Sequence, residues 1–429
     1  MSPSRAGIRG RLPEGSVLVG GGLVVNGLAA YAFITLASRD LGPEAYTPVG
    51  LLWALSFLLG PGFFQPLEQE VARVVASRAD GRLGPVVRTA AAIGAGMVGI
   101  LAVGAVLLRD RLQYDLFDGD GLLVVGLLLV LVGLGLGHLV RGALAGIGRF
   151  GGYARYFIGD GLGRLVLALI LVAVVGGAGG YGLAVGLAPF VGVAAALAGR
   201  RDPSRVGSLA GPVEPPGALS RALGALLVAS VSTSLVLNVS PLAVEVLAGP
   251  DQADEPGRFL NALLIARVPL FFFQAVQASL LPKLSGLVGA GRLDEMRDAL
   301  LRLLVLVLGL GGLAIALCAL LGTTVVDVAF GEGFAVERRD MVLLASSSAV
   351  LMVALSLAQA LIACRAQGRM ALAWVAGLVA FPMVVALGDD LFLRVELGLL
   401  ATVSTAAAAM ALLMVARLRS ASRWMAGVA

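Results

Sequence analysis

Gly121–Val140 reads GLLVVGLLLVLVGLGLGHLV, twenty residues with one titratable side chain, His138. Coiled as an α-helix, a run of that length matches the hydrocarbon thickness of a bilayer. Working outward, comparable apolar runs sit near 16–38, 48–67, 86–108, 154–176, 180–199, 222–244, 259–281, 301–322, 341–363, 370–388 and 396–416. The spacing predicts an all-α polytopic membrane protein of about twelve transmembrane helices. Bulk composition agrees. Of 429 residues, 59% are hydrophobic and 14% charged, and the mean hydropathy is +0.95. A soluble domain carries about 25% charged residues and cannot bury this much apolar surface. The first run follows Arg5, Arg9 and Arg11 and lacks a small-x-small cleavage site, so it reads as a first membrane helix and not as a removed signal peptide.

Charge placement tests the count. With the N-terminus inside, 23 of the 32 Lys and Arg residues fall in the inside segments and seven in the outside ones. Arg164 and Arg267 are the two left within spans. This alternation follows the positive-inside rule. It predicts a multi-pass membrane protein with both termini cytoplasmic. The longest inside break, 200–220, holds Arg200, Arg201, Pro203, Pro212, Pro215 and Pro216 and reads as a linker. It separates an N-terminal six-helix bundle, 1–199, from a C-terminal one, 221–429. The halves show a weak repeat. Pro61-Gly-Phe-Phe-Gln65 recurs as Pro269-Leu-Phe-Phe-Phe-Gln274, each is followed by Gly-Arg-Leu (Gly81–Leu83, Gly291–Leu293), and Asn26 has a counterpart in Asn238. Six helices per half make parallel repeats, one of the transporter plans.

Several function classes are excluded. A single histidine rules out a His-based metal site, and Cys318 and Cys364 sit in apolar runs with no disulfide or metal spacing. No basic stretch is interleaved with aromatics, so nucleic acid is not an expected partner. No Walker A, G-x-S-x-G or H-E-x-x-H pattern occurs. The outside loops are short and acidic. The chain is expected to be a transporter rather than an enzyme, with no cofactor and no metal.

Four segments carry a resemblance. Leu36–Tyr46 (LASRDLGPEAY), Phe63–Ser77 (FFQPLEQEVARVVAS), Ala266–Pro269 through Leu281–Ser285, and Gly163–Val166 ahead of the Gly176–Gly182 break resemble polysaccharide and O-antigen flippases. These belong to the multidrug/oligosaccharidyl-lipid/polysaccharide (MOP) flippase superfamily. Where that family has Gly after the Tyr of the first loop, this chain has Thr47-Pro48. The resemblance implies two six-helix bundles in a MATE-like, V-shaped arrangement. It also implies translocation of a lipid-linked glycan, a polyprenyl-pyrophosphate sugar, by alternating access for cell-envelope polysaccharide synthesis. Coupling to H+ or Na+ and a monomeric state are expectations of the same kind. The alternatives are a cation-coupled multidrug antiporter of the superfamily and a lipid II-type precursor flippase. The antiporter would favour acidic residues deep in the first helix or the C-terminal bundle, and 16–38 holds none.

A charge at the bilayer centre costs about 2.5–3.5 kcal/mol on insertion scales, so each needs a partner or a wet cavity. Arg267 sits mid-span with Pro269 two residues on, where a broken helix ladder opens backbone toward a cavity. Its planar fork suits phosphate oxygens, and the bland reading is a bond to backbone carbonyls. Asp160 and Arg164, four apart, share a helix face and are expected to pair or to line the cavity. Asn26 and Gln274 are candidates for sugar hydroxyls, although such amides equally hold helices together. Glu68, Glu70 and Arg73 read as a solvated amphipathic face, with a gate of Glu68 and Arg73 against the other half as the alternative. His138 reads as interfacial.

Overall fold

A computed structural model describes residues 16–76, 84–198, 216–364 and 366–426. No strand occurs among the described residues. The helices are α1 (Ser16–Leu59), passing through a π-helical turn at Gly60–Phe64 into α2 (Gln65–Ala76), α3 (Gly84–Leu107), the single turn α4 (Arg109–Arg111), α5 (Gly121–Gly146), α6 (Phe150–Val175) and α7 (Gly177–Leu197). Then follow α8 (Pro216–Leu247), α9 (Glu255–Ala266), α10 (Val268–Gly289), α11 (Leu293–Phe330), α12 (Arg338–Ala363), α13 (Gln367–Val385) and α14 (Leu391–Ala426). Residues 200–215 of the expected linker and the repeat segment Gly81–Leu83 lie outside the described residues; the linker's last residues, from Pro216, open α8.

Ten helices among the described residues are long and apolar enough to cross a membrane. The first, Leu18–Ala76, has 59 residues, about 90 Å at the helical rise and some three times the hydrocarbon thickness. It contains two of the expected segments, 16–38 and 48–67. They are divided at Gly42, whose φ of 74° and ψ of 172° leave the helical region. Glycine takes that left-handed φ without a Cβ penalty, and Pro43 after it cannot donate to the ladder. The expected eighth segment, 259–281, is broken: α9 ends at Ala266 and α10 begins at Val268 with Pro269 in its first turn. The twelve expected segments thus map onto the helices observed, and the chain is an all-α, multi-pass membrane protein.

The helices assemble into two compact units. The first is Met1–Ala37 with Leu59–Leu227, the second Ser38–Leu58 with Val228–Ala429. In the first, α7 packs between α5 and α6, and α2 lies on α5 and α3. Gly161 lets the start of α1 approach α6: a Cβ there would fall 2.9 Å from the α-carbon of Asn26. In the second, α12 packs against α10, α11 and α14, and α13 lies on α14. The apolar window of α12 is 61% buried and that of α11 22%, which makes α12 the centre of this unit and α11 a lipid-facing helix. Val305 and Leu320 of α11 are accordingly exposed, as lipid solvation permits. Trp374, Phe273, Met352 and Met410 fill the core. Residues 38–58 join this unit through Tyr46, edge-on to Phe334 with ring centroids 5.6 Å apart, and through Thr47, whose Oγ1 accepts the Gly257 N–H at 3.1 Å. Cys318 and Cys364 are buried free thiols.

Candidate functional site

The inner face of α6 carries Tyr153, Tyr156, Phe157, Asp160 and Arg164 at three- and four-residue spacing, so they form one stripe. The upper part of the stripe meets α2 and α5. There Glu68 Oε1 accepts the Tyr153 hydroxyl at 2.6 Å, and Glu68 Oε2 accepts Arg141 Nη2 at 2.6 Å. His138 Nδ1 lies 2.9 Å from the same oxygen and 2.7 Å from Arg141 Nη2. The Arg141 guanidinium sits 4.9 Å from the Tyr156 ring centroid and 5.0 Å from that of Phe157, in cation–π range. Glu68, His138 and Arg141 are all buried. This corrects the expectation of a solvated face: Glu68 and Glu70 are both buried. The polar face of α2 turns inward, because in lipid a charged side chain is cheaper among partners than outside. Arg73 grips Glu70 with Nε and Nη2 at 2.8 and 2.6 Å and stays 63% exposed. Glu68 and Arg73 both find partners within the first unit.

Lower on the stripe, Arg164 Nη2 donates to Asp160 Oδ2 at 2.5 Å, the expected four-residue ion pair, with both residues buried. Asn26 Nδ2 reaches the same oxygen at 3.4 Å, a long hydrogen bond. The structure thus brings Asn26, Asp160 and Arg164 into one cluster. With Tyr156 between them, the two ion pairs form a polar seam inside the first unit.

In the second unit, Arg267 occupies the break between α9 and α10. Its N–H bonds to Leu263 O at 3.0 Å, and its own carbonyl accepts Leu270 N–H at 2.9 Å, so the chain changes helix at this residue. Its guanidinium donates to Leu237 O of α8, as the bland reading expects. It also borders a closed crevice, too tight for a water molecule, with Ser347, Ser348 and Leu351 of α12 and Leu399 and Val403 of α14. The two serine hydroxyls donate to Leu343 O and Leu344 O, each at 3.0 Å, so their protons are spent within α12. Gln274 lies in α10, and its side chain is outside the described residues. Among the described residues no group of three or more His, Cys, Asp and Glu could hold a metal ion.

One residue escapes the sequence reading. Glu396, in the second turn of α14, is fully buried, and neither carboxylate oxygen has a hydrogen-bond partner among the described residues. Its signal in the sequence is an acid at the first position of the apolar run 396–416, where it reads as a boundary and not as an interior charge.

The fold has known counterparts. No family model matches the chain. A multidrug-resistance transporter of the MATE family, in the MOP superfamily, superposes with a TM-score of 0.75 at 15% identity, over 96% of this chain and 99% of its own. A MATE transporter of Vibrio cholerae gives 0.67 at 17% identity, covering 95% and 98%. A MOP-superfamily transporter of Pyrococcus furiosus, described as having a binding pocket of reversed polarity, gives 0.64 at 13% identity, covering 95% of each chain. The fold is therefore that of the MATE transporters. By sequence, the chain is similar to two uncharacterized proteins of Mycobacterium tuberculosis. One is 28% identical over 413 residues, 91% of this chain and 90% of the relative. The other is 27% identical over 400 residues, 91% and 89%.

Proposed function

We propose that this chain is a flippase that carries a lipid-linked oligosaccharide or polysaccharide precursor across the bacterial cytoplasmic membrane by alternating access. The observation that carries the reading is Arg267. A guanidinium at a helix break in mid-span suits the phosphate of a polyprenyl-pyrophosphate sugar. The head group crosses through protein while the polyprenyl tail stays in lipid. Within the first unit, Asp160, Arg164 and Asn26 are separate candidates for polar contact; within the second, Gln274 is a further amide. The MATE fold supports transport as the general activity.

The second reading is a cation-coupled multidrug antiporter. One MATE neighbour is described as a multidrug-resistance transporter, and Glu396 supplies the deep acid of the C-terminal half that such a protein would favour.

Proteoliposomes loaded with a fluorescent polyprenyl-pyrophosphate sugar decide between them. Appearance of the probe on the opposite leaflet with wild type, lost in a folded Arg267→Ala variant and partly restored by Arg267→Lys, is the expected result. Equal transport by all three removes Arg267 from the site. A folded wild type that moves no glycan lipid but takes up organic cations in exchange for sodium or protons, against their gradient, establishes the second reading.

A further inference from the structure

We propose that Glu396 is a proton-binding site that couples proton movement to transport through the second unit. The coupling rests on the transporter reading above; the proton site itself does not. Glu396 lies five residues, about 8 Å of helix, inside the start of α14 at Leu391. One turn earlier Phe392 packs edge-on against Phe259 of α9, with centroids 5.3 Å apart, and closes that side with aromatic carbon.

The charged groups around it are accounted for. Asp340, Arg339 and Glu337, at the start of α12, and Asp390, in the loop before α14, are the charges whose fields reach it. Each is engaged elsewhere. Arg339 bridges Asp340 at 3.1 Å and Asp390 at 3.5 Å, Asp340 Oδ2 accepts the Glu337 N–H at 2.9 Å, and Arg339 Nη2 lies 3.9 Å from a Glu337 carboxylate oxygen. On α9, Arg258 pairs with Glu255 at 3.1 Å. On α14 itself, Arg394 donates to Leu247 O of α8 at 3.3 Å. The charged residue of α13, Arg369, stands at the end away from the α13–α14 loop.

A carboxylate held without hydrogen bond or counter-charge in such a place costs several kcal/mol, and the neutral acid avoids that cost by keeping a proton. A metal cation needs several oxygen ligands, and the described residues offer Glu396 no such shell. The cluster of Arg339, Asp340 and Asp390 stands at the start of α12 and just before α14. It forms an ionic rim from which a proton can be delivered when the unit opens. An ionisable group inside a membrane helix is where proton relays are built.

Infrared spectra of the full chain in lipid, taken across a pH series, test the site. The expected result is a protonated-carboxyl C=O stretch in wild type at neutral pH. It is missing in Glu396→Gln, shifted in Glu396→Asp and unaffected by sodium. A band identical in wild type and both variants at every pH overturns the proposal, and so does a band that sodium abolishes, which would make the site a sodium site. Proteoliposome flux under an imposed pH gradient tests the coupling. Wild-type flux responds to the gradient, and Glu396→Gln keeps flux but loses the response; a variant that keeps the response overturns the coupling. If the protein moves no glycan lipid while the carboxyl band behaves as expected, the flippase reading fails and the proton site stands.

Discussion

Glu68 and Glu396 are glutamates inside membrane helices, one in each unit, 8% and 0% exposed. Glu68 has a hydroxyl, a guanidinium and an imidazole within 3 Å of its oxygens. Glu396 has no hydrogen-bond partner among the described residues. Equal burial therefore does not give equal chemistry. A carboxylate whose charge is matched in place is fixed as an anion and braces the helices it joins, here α2, α5 and α6. One that is not matched carries its charge only at high cost, so its inexpensive state is the neutral acid. The same contrast separates structure from exchange in the two halves: the polar seam of the first unit is internally paired, whereas the second unit holds an acid available to a mobile partner.

The contrast can be broken by mutation, starting with the largest effect. Glu68→Ala should destabilise the protein by about 3–5 kcal/mol, because it strands the Arg141 charge in a buried site. Thermal unfolding in detergent, followed by loss of the monodisperse chromatographic peak, reads this out. The double variant Glu68→Gln with Arg141→Met should recover part of the loss, since no lone charge remains. Asp160→Asn should cost less, about 1–3 kcal/mol, because the amide oxygen still accepts from Arg164; the same melts serve. Glu396→Gln should change stability by less than about 1 kcal/mol, because a neutral acid and an amide have nearly the same shape and neither has partners to lose. A Glu396→Gln melt as damaged as that of Glu68→Ala would abolish the distinction between the two sites.

The helices are legible in the sequence because the twenty-residue apolar period is a strong signal, and the break at Arg267 because Pro269 announces it. The Asp160–Arg164 pair is legible because it is local, four residues on one helix. Glu68 reads wrongly because its partners lie 73 and 85 residues away, and a polar face on a membrane helix looks the same in sequence whether it points to water or into the bundle. Glu396 is hidden for a different reason. A hydropathy reading trims charged residues to the edge of a span, so an acid in the second turn of a helix registers as its boundary. The position of the linker groups residues 38–58 with the N-terminal half, whereas their partners are Phe334 and Gly257. Such membership is set by tertiary packing and leaves no local pattern.

That excursion of 38–58 has a consequence for synthesis. The segment leaves the ribosome about 280 residues before Phe334, against which Tyr46 packs. At translation rates of about 5–20 residues per second, it waits roughly 15 to 55 s for that contact. A water-soluble chain with an apolar segment idle for so long would be exposed to aggregation. Here lipid can solvate the segment meanwhile, so the nascent protein can assemble out of sequence order, with the bilayer acting as its holding chaperone.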